Sequence, residues 1–179
     1  MEKKYKCGLY IGRFQPIHVG HTHIIAKMLL ECEKVIIAIG SSQEGRTKRN
    51  PFHYGERRAF IEQCFPYNLN QIYIIPVPDR KEISNDASWG DYVFDRIKKF
   101  EYDSPDVVYE GEESERATWY DNLDVEIVKV PRTIIPISAT EVRAGIIAEN
   151  EEVLTRYIPY GIRHNIDFMK EVIKNANKN

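Results

Sequence analysis

Two histidines, His18 and His21, are the first candidate functional residues in the sequence, because they lie three positions apart in the stretch GRFQPIHVGH. The stretch follows an apolar run and contains Gly12, Pro16 and Gly20, which are typical of a turn between a strand and a helix. Free N–H groups at a helix start favour an anion, so two imidazoles there could hold a polyphosphate. Histidines at this spacing could also bind a metal, although a third ligand is missing nearby. A purely structural turn that contains histidine is the third interpretation.

A second stretch, ISATEVR at 137–143, combines hydroxyl groups and an arginine at the start of a late helix. Ser138 and Glu141 fit a capping box, in which the hydroxyl and the carboxylate each accept a backbone N–H. Ser138 and Thr140 could also contact phosphate oxygens, and the guanidinium of Arg143 could neutralise them. A capped helix with an arginine is common, so this stretch indicates a phosphate site only together with the paired histidines.

Apolar runs that alternate between two periodicities predict the elements that carry these residues. We predict strands at 7–12, 34–40, 72–78, 106–111 and 125–131. We predict helices from His21 and at 55–65, 87–100, 115–122 and 138–147, and a final helix near 164–174. The strands are apolar on both faces, which is typical of a parallel sheet covered by helices on both sides. The prediction is therefore an α/β, Rossmann-like doubly wound sandwich with a five-stranded parallel sheet and helices on both faces.

Glycines mark the ends of the first, second and fourth predicted strands, at Gly12, Gly40 and Gly111. In an open parallel sheet, ligands bind outside the carboxyl ends of the strands, at the point where the strand order reverses. We therefore expect the three glycine-containing stretches to share one crevice.

The composition limits the class of protein. The chain has 179 residues, of which 42% are hydrophobic, so we expect a single domain over 1–179 with a helical C-terminal segment from about 150. Lysine and arginine number 25 and aspartate and glutamate 27, for a formal charge of -2, which argues against a nonspecific nucleic-acid surface.

Cysteine usage and hydropathy indicate the compartment. Cys7, Cys32 and Cys64 form no CxxC pair and lie among apolar residues, so we interpret them as buried thiols in a reducing cytosol. Neither a signal-peptide stretch nor an apolar run of membrane-spanning length occurs in the sequence. We expect a soluble, cytoplasmic protein without a membrane or nucleic-acid partner.

Together, GRFQPIHVGH and ISATEVR resemble the HxGH and ISxTxxR motifs of the nucleotidylyltransferase superfamily. The first stretch, followed by IGSSQEGRTKRNPFHYGER, is similar to the nicotinamide-mononucleotide (NMN) adenylyltransferases of the archaeal type. Cytidylyltransferases of the superfamily more often have an acidic residue where this chain has Gln15. The resemblance extends from Tyr10 to about Ile147. It implies transfer of the AMP moiety of ATP to NMN or nicotinate mononucleotide, which forms NAD or its deamido form and pyrophosphate.

The resemblance also implies roles for individual residues. The phosphate of the mononucleotide would be the nucleophile, and no activated serine or cysteine with a matched base is found in the sequence. Mg²⁺ would be held by phosphates and water rather than by a protein cage. The implied catalytic residues are His18, His21 and Arg143. The implied ATP-binding residues are Gly12, Arg13, Phe14, His18, His21, Gly111, Ser138, Thr140 and Arg143.

The implied mononucleotide-binding residues are Gly40, Arg46, Arg49, Asn85, Asp86 and Trp89. The family places a tryptophan at Trp89 to stack on the nicotinamide, and an asparagine three residues earlier to bind the carboxamide. Here that position is Asp86, with Asn85 beside it, so the residue that reads the carboxamide stays open. An aspartate would repel the carboxylate of nicotinate mononucleotide, but the preference between the two mononucleotides stays open as well.

A second departure is the acidic segment YEGEESERATWYD at 109–121, where archaeal-type enzymes usually have a Ser-Gly-Asn-Pro-like turn near the adenine. The acidic form resembles the adenylyltransferase part of bifunctional bacterial NAD-synthesis proteins.

Two alternatives to NMN adenylyl transfer stay open: an adenylyltransferase with another acceptor, such as phosphopantetheine or FMN, and a nucleotide-binding sensor without turnover. Family members form oligomers, so the resemblance allows a homo-oligomer, but the sequence shows no interface signature and the oligomeric state stays open. We interpret His23, His53 and His164 as structural or surface residues.

Overall fold

The computed structural model describes residues 2–80, 86–111, 119–131 and 135–178, with the side chains of 86–88 left out. A five-stranded sheet forms the centre of the fold, and its strand order is β3-β2-β1-β4-β5. Every neighbouring pair of strands is parallel. The strands are β1 (Tyr5–Gly12), β2 (Cys32–Gly40), β3 (Ile72–Val77), β4 (Val107–Gly111) and β5 (Glu126–Val130). This arrangement confirms the predicted five-stranded parallel sheet.

In the described part of the chain, five α-helices connect or follow the strands. They are α1 (Val19–Glu31), α2 (Tyr54–Cys64), α3 (Asp86–Lys99), α4 (Ala139–Ala148) and α5 (Ile166–Ala176). A short π-helix (Val153–Tyr157) and a 3₁₀ helix (Tyr160–Asn165) lie between the last two. The final α-helix begins later than predicted, because the 3₁₀ helix precedes it.

Two further expectations about helices need correction. The first helix begins at Val19 rather than His21, because His18 adopts the extended N-cap conformation and His21 becomes the third helical residue. The predicted helix at 115–122 lies partly outside the described residues, and its described part, 119–122, forms turns instead.

Helices cover both faces of the sheet, as predicted. On one face, Ile37 and Tyr109 belong to a core cluster that includes buried residues of α1, α2, α4 and α5. On the other face, Ile36 and Val108 belong to a second cluster that includes residues of α3. The two faces of β1, β2 and β4 are therefore apolar, whereas most residues of the edge strand β5 are not buried.

The three cysteines are free, with Cys7 and Cys32 buried and Cys64 half-buried. Burial raises the thiol pKa to about 12 for Cys7, about 11 for Cys32 and about 12 for Cys64, so all three stay protonated near neutral pH. Among the described residues, no helix is both long enough and apolar enough to cross a membrane.

Candidate nucleotide-binding cleft

A cleft of about 880 Å³ opens at the carboxyl ends of the strands. Gly12, Gly40 and Gly111, the last residues of β1, β2 and β4, all line it. The strand order reverses between β1 and β4, so the cleft lies at the switch point where open parallel sheets bind ligands. The expected shared crevice is therefore present.

His18 and His21 form a close pair at the start of α1, and both line the cleft. Their ring centroids are 3.8 Å apart, with an angle of 35° between the ring planes. The backbone N–H of His18 donates a hydrogen bond to Nδ1 of His21 at 3.2 Å, so His21 takes the place that glutamate or glutamine holds in a capping box. Because Nδ1 accepts this hydrogen bond, the proton of the neutral ring lies on Nε2, which remains a donor.

Neighbouring residues fix the positions of the two imidazoles. The ring of Phe14 is 4.8 Å from that of His21, and Phe14 is buried in a left-handed backbone conformation with φ of 51°. A Cβ added to Gly20 would lie 3.0 Å from Cε1 of His18, which is closer than ordinary contact. The glycine between the histidines therefore leaves room for the first ring, and Phe14 supports the second.

Arg143 on α4 lines the same cleft as the histidine pair. Its NH1 donates to the backbone oxygen of Gln15 at 2.8 Å, and its NH2 donates to Oγ1 of Thr140 at 3.2 Å. Burial lowers the pKa of Arg143, and the nearby positive charge of Arg13 lowers it further. The guanidinium is therefore half-buried and held in place next to the GRFQP turn.

The predicted capping box at the start of α4 is present. Glu141 N donates to Oγ of Ser138 at 3.2 Å, and the carboxylate of Glu141 accepts from Ser138 N at 2.7 Å. The hydroxyl of Ser138 also donates to Oε2 of Glu141 at 2.6 Å. Ser138 thus stabilises the helix start while it lines the cleft beside Thr140.

Arg57, which the sequence analysis did not single out, lies fully buried beneath the mouth of the cleft. Its NH1 donates to the backbone oxygens of Arg13 (3.0 Å) and Gly40 (2.8 Å). Its NH2 donates to the backbone oxygens of Ser41 (3.1 Å) and Glu44 (3.4 Å). Burial lowers its pKa to about 10, so the group stays charged near neutral pH. One guanidinium therefore ties together the turns that follow β1 and β2.

The side chain of Gln15 makes a second connection between the turn after β1 and the chain between β2 and α2. Its side-chain amide donates to the backbone oxygen of Phe52 at 2.9 Å, and its side-chain oxygen accepts from Phe52 N at 2.9 Å. The buried Gln15 side chain therefore holds the GRFQP turn against the segment that precedes α2.

Aromatic residues form another wall of the cleft. Trp89 on α3 lies 5.5 Å from Trp119 and 5.3 Å from Tyr92, measured between ring centroids. Trp89 and Trp119 both line the cleft, and both pack against the core cluster on the α3 face. Nε1 of Trp89 is buried, and within the described ranges no hydrogen-bond acceptor reaches it.

Most of the candidate residues from the sequence line this single cleft: Gly12, Arg13, Phe14, His18, His21, Gly40, Arg49, Trp89, Gly111, Ser138, Thr140 and Arg143. Arg46 is not among the lining residues. Its guanidinium pairs with both carboxylate oxygens of Glu56, at 2.8 and 2.5 Å, and so it stabilises the loop before α2 instead. Asn85 lies outside the described residues, and Asp86 begins α3 with a side chain that is likewise outside them.

The structure adds lining residues that the sequence analysis missed. His23, which we interpreted as a structural or surface residue, lines the cleft, and so do Asp79, Glu110 and Trp119. Glu110 is only 2% exposed. Its position directly before Gly111, at the end of a buried strand, was the signal that could have identified it. For His23, no such signal exists in the sequence.

The side chains of the cleft can be compared with the ligands that a metal ion needs. Across the described residues, no group of three or more His, Cys, Asp or Glu side chains is arranged to hold one.

Comparison with known proteins assigns the class. The family model described as cytidylyltransferase-like matches residues 9–160, and the chain belongs to this family. Within it, the chain is 33% identical over 164 residues to a nicotinamide-nucleotide adenylyltransferase of Thermococcus kodakarensis, covering 88% of this chain and 82% of that one. It is 44% identical over 97 residues to the same-named protein of Saccharolobus solfataricus, covering 52% of this chain and 55% of that one.

A solved structure agrees with the fold. A bifunctional NMN adenylyltransferase/ADP ribose pyrophosphatase from Francisella tularensis superimposes with a TM-score of 0.75 at 22% identity, over 95% of this chain and 50% of that one. The same protein has also been solved with AMP and a Mn ion. The chain thus spans about half the length of this structure and of the S. solfataricus relative. The predicted fold and the resemblance to nucleotidylyltransferases are confirmed, and the relatives support an adenylyltransferase function.

Proposed function

We propose that the protein is a nicotinamide-nucleotide adenylyltransferase, which transfers the AMP moiety of ATP to NMN and releases pyrophosphate. The observation that carries this proposal is the convergence of His18, His21 and Arg143 in one cleft, although they come from opposite ends of the chain. The archaeal relatives with this name support the same reaction for a chain of this family.

The reaction needs no nucleophile from the protein. A phosphate oxygen of the mononucleotide attacks the α-phosphorus of ATP, and a new P–O bond forms. The bond from the α-phosphorus to the oxygen that bridges to the β-phosphorus breaks, and its electron pair leaves with pyrophosphate. Catalysis then consists of holding two nucleotides in line and neutralising the charge that develops between them.

His21 is suited to this task because its Nδ1 is occupied by the backbone N–H of His18. Its Nε2–H is then a fixed donor for a phosphate oxygen of ATP. His18, whose ring lies next to that of His21, provides a second imidazole for the same phosphates. Neither ring has to reorganise when negative charge builds up, which is how preorganised donors lower a barrier.

Arg143 would neutralise the phosphates from the start of α4, where its guanidinium contacts the GRFQP turn. A guanidinium has five N–H donors, and only two are described in contacts with protein oxygens, those to Gln15 and Thr140. Arg13 and the hydroxyls of Ser138 and Thr140 would contact the same triphosphate. Gly12, Phe14 and Gly111 would lie along the nucleotide, because they line the cleft between these groups.

The mononucleotide would occupy the part of the cleft lined by Gly40, Arg49 and Trp89. Arg49 is exposed and would bind its phosphate, and the indole of Trp89 would stack on its ring. Arg46 has no part in this proposal, since its guanidinium is engaged by Glu56.

ATP would enter with a divalent ion, Mg²⁺ in our proposal, which supplies positive charge between its phosphates when bound. ATP and the mononucleotide are then the expected partners. A single domain over 1–179 and a cytoplasmic location remain predictions, and the oligomeric state stays open.

A direct assay tests the proposal. Purified protein is incubated with ATP, Mg²⁺ and one acceptor at a time: NMN, nicotinate mononucleotide, FMN or phosphopantetheine. We expect a dinucleotide and pyrophosphate from a pyridine mononucleotide. Turnover of FMN or phosphopantetheine alone would indicate the alternative acceptor, and NAD binding without any turnover would indicate a sensor.

A further inference from the structure

Arg57 carries a positive charge that is fully buried, and all of its described hydrogen bonds go to backbone oxygens rather than to a carboxylate. Burial of a charge without a countercharge is costly, whereas an apolar side chain could fill the same space without that cost. The four acceptors therefore indicate what the guanidinium does at the ends of β1 and β2.

Two residues next to these acceptors have strained backbone conformations. Phe14 has φ of 51° and Ser41 has φ of 47°. Left-handed backbone is costly for a residue other than glycine, and it persists where the surrounding structure holds it. NH1 of Arg57 donates to the oxygen of the peptide group before each of them, at Arg13 and at Gly40, and NH2 donates to the oxygen of Ser41 itself. One guanidinium therefore holds both strained positions.

The conformation of Phe14 places its ring where it supports the histidine pair. A Cβ added to Gly12 would lie 2.9 Å from Cζ of Phe14, so the ring folds back over the end of β1. The centroid of the same ring is 4.8 Å from that of His21. A change in the peptide group between Arg13 and Phe14 would therefore move the support of His21, in the part of the cleft where we place the triphosphate.

The conformation of Ser41 directs the loop that carries Arg49. The oxygen of Ser41 also accepts from Glu44 N at 3.0 Å, and the oxygen of Glu44 accepts from NH2 of Arg57 at 3.4 Å. The guanidinium thus holds the first turn of this loop at both ends. Ser41 and Arg49 line the cleft together with Gly40, in the part where we place the mononucleotide.

We propose that Arg57 is a positioning residue for adenylyl transfer, which fixes the placement of the wall that holds ATP relative to the wall that holds the mononucleotide. Transfer requires the attacking phosphate oxygen in line with the α-phosphorus, and a displacement of about 1 Å can cost about 10² in rate. Arg57 itself would touch neither nucleotide, because its side chain is fully buried. This inference rests on the proposed function, in which two nucleotides meet in one cleft.

The test separates turnover from binding in Arg57→Met, at a temperature where circular dichroism shows a folded protein. ATP and NMN are varied in turn. We expect kcat to fall about tenfold or more and each KM to change by less than about threefold, because each nucleotide still has its own wall but the two are no longer aligned. Lower stability alone would leave the kcat of the folded protein unchanged. Arg58→Met is the control, since Arg58 is exposed and pairs with Glu62, and it should keep the native kcat.

Arg57→Lys is the second variant, since an ammonium has three donors for four oxygens and lacks the planar fork of a guanidinium. It should show the same loss of kcat with little change in KM, and it carries the test if Arg57→Met does not fold. A folded variant with the native kcat would overturn the inference, whatever its KM values. Failure of both variants to fold would overturn it as well, because Arg57 would then hold the whole fold rather than place two turns. Absence of turnover in the native protein would instead refute the proposed function itself.

Discussion

The guanidinium of Arg143 donates a hydrogen bond of 2.8 Å to the backbone oxygen of Gln15, across a separation of 128 residues in the chain. This contact joins the ISATEVR helix start to the GRFQP turn. The side chain of Gln15 also forms two hydrogen bonds with the backbone of Phe52. Arg143 therefore binds a residue whose own position is fixed. The two motifs therefore form one connected part of the cleft wall.

Arg143→Lys should reduce kcat/KM for ATP by about a hundredfold, because an ammonium cannot bind the Gln15 oxygen, Thr140 and phosphate in one planar arrangement. Steady-state kinetics with varied ATP measure this loss. The matched control is Arg156→Lys, at an exposed arginine that pairs with Glu152. Equal activity in the two variants would contradict the role of Arg143.

His21→Gln separates capping from catalysis. Glutamine at the third helical position can accept the same backbone N–H, so we expect the melting temperature to remain within a few degrees of the native value. Turnover should fall by about 10² or more, because the imidazole donor is lost. The measurements are thermal unfolding and kcat.

His164→Gln is the control for this substitution, since His164 is exposed in the 3₁₀ helix and should tolerate the change. A His21→Gln protein that unfolds readily, or that retains native turnover, would show that His21 is structural instead.

Gly20→Ala should impair turnover through the position of His18. The added Cβ would lie 3.0 and 3.1 Å from two atoms of that ring, so the ring must move away from its neighbour, the ring of His21. We expect kcat to fall roughly tenfold, since small misplacements of positioning groups are costly. Gly55→Ala is the control, because a Cβ at the same position of α2 meets no atom within 4 Å and should stabilise by about 0.5–1 kcal/mol. Equal kcat in both variants would exclude the proposed crowding.

Arg57→Met should lower the free energy of unfolding by about 2–4 kcal/mol, because four backbone carbonyl oxygens, two buried and two partly buried, lose their donor. Urea denaturation measures this change. The adjacent Arg58 is exposed and pairs with Glu62 at 2.8 Å, so Arg58→Met should cost less than about 1 kcal/mol. Similar losses for the two neighbours would mean that the tie between β1 and β2 contributes little.

The fold could be predicted from the sequence because the five strands are short apolar runs separated by helical periodicity. The boundaries were less accurate where a side chain decides them. His18 has an unusual N-cap side chain, so the capping role of His21 and the early start of α1 could not be recognised. Similarly, nothing in the sequence distinguished the 3₁₀ turn from α5.

The lining of the cleft could be predicted to the extent that it consists of glycines and motif residues at strand ends. Arg46 and Arg57 illustrate the roles that could not be predicted. Both are arginines near the same loop, but Arg46 pairs with Glu56 and Arg57 binds four backbone oxygens. These partners depend on three-dimensional packing. The position of Glu110 before Gly111 could have placed it at the cleft, but the sequence does not reveal that its side chain is buried.

The central claim is direct transfer of the adenylyl group from ATP to NMN, and the most direct measurement follows the α-phosphorus. The protein is incubated with ATP labelled at that phosphorus, with Mg²⁺ and with or without NMN. The account predicts that label appears in NAD with one pyrophosphate released per NAD, and that no label attaches to the protein when NMN is left out. Label bound to the protein before NMN is added, or label that never reaches NAD, would contradict it.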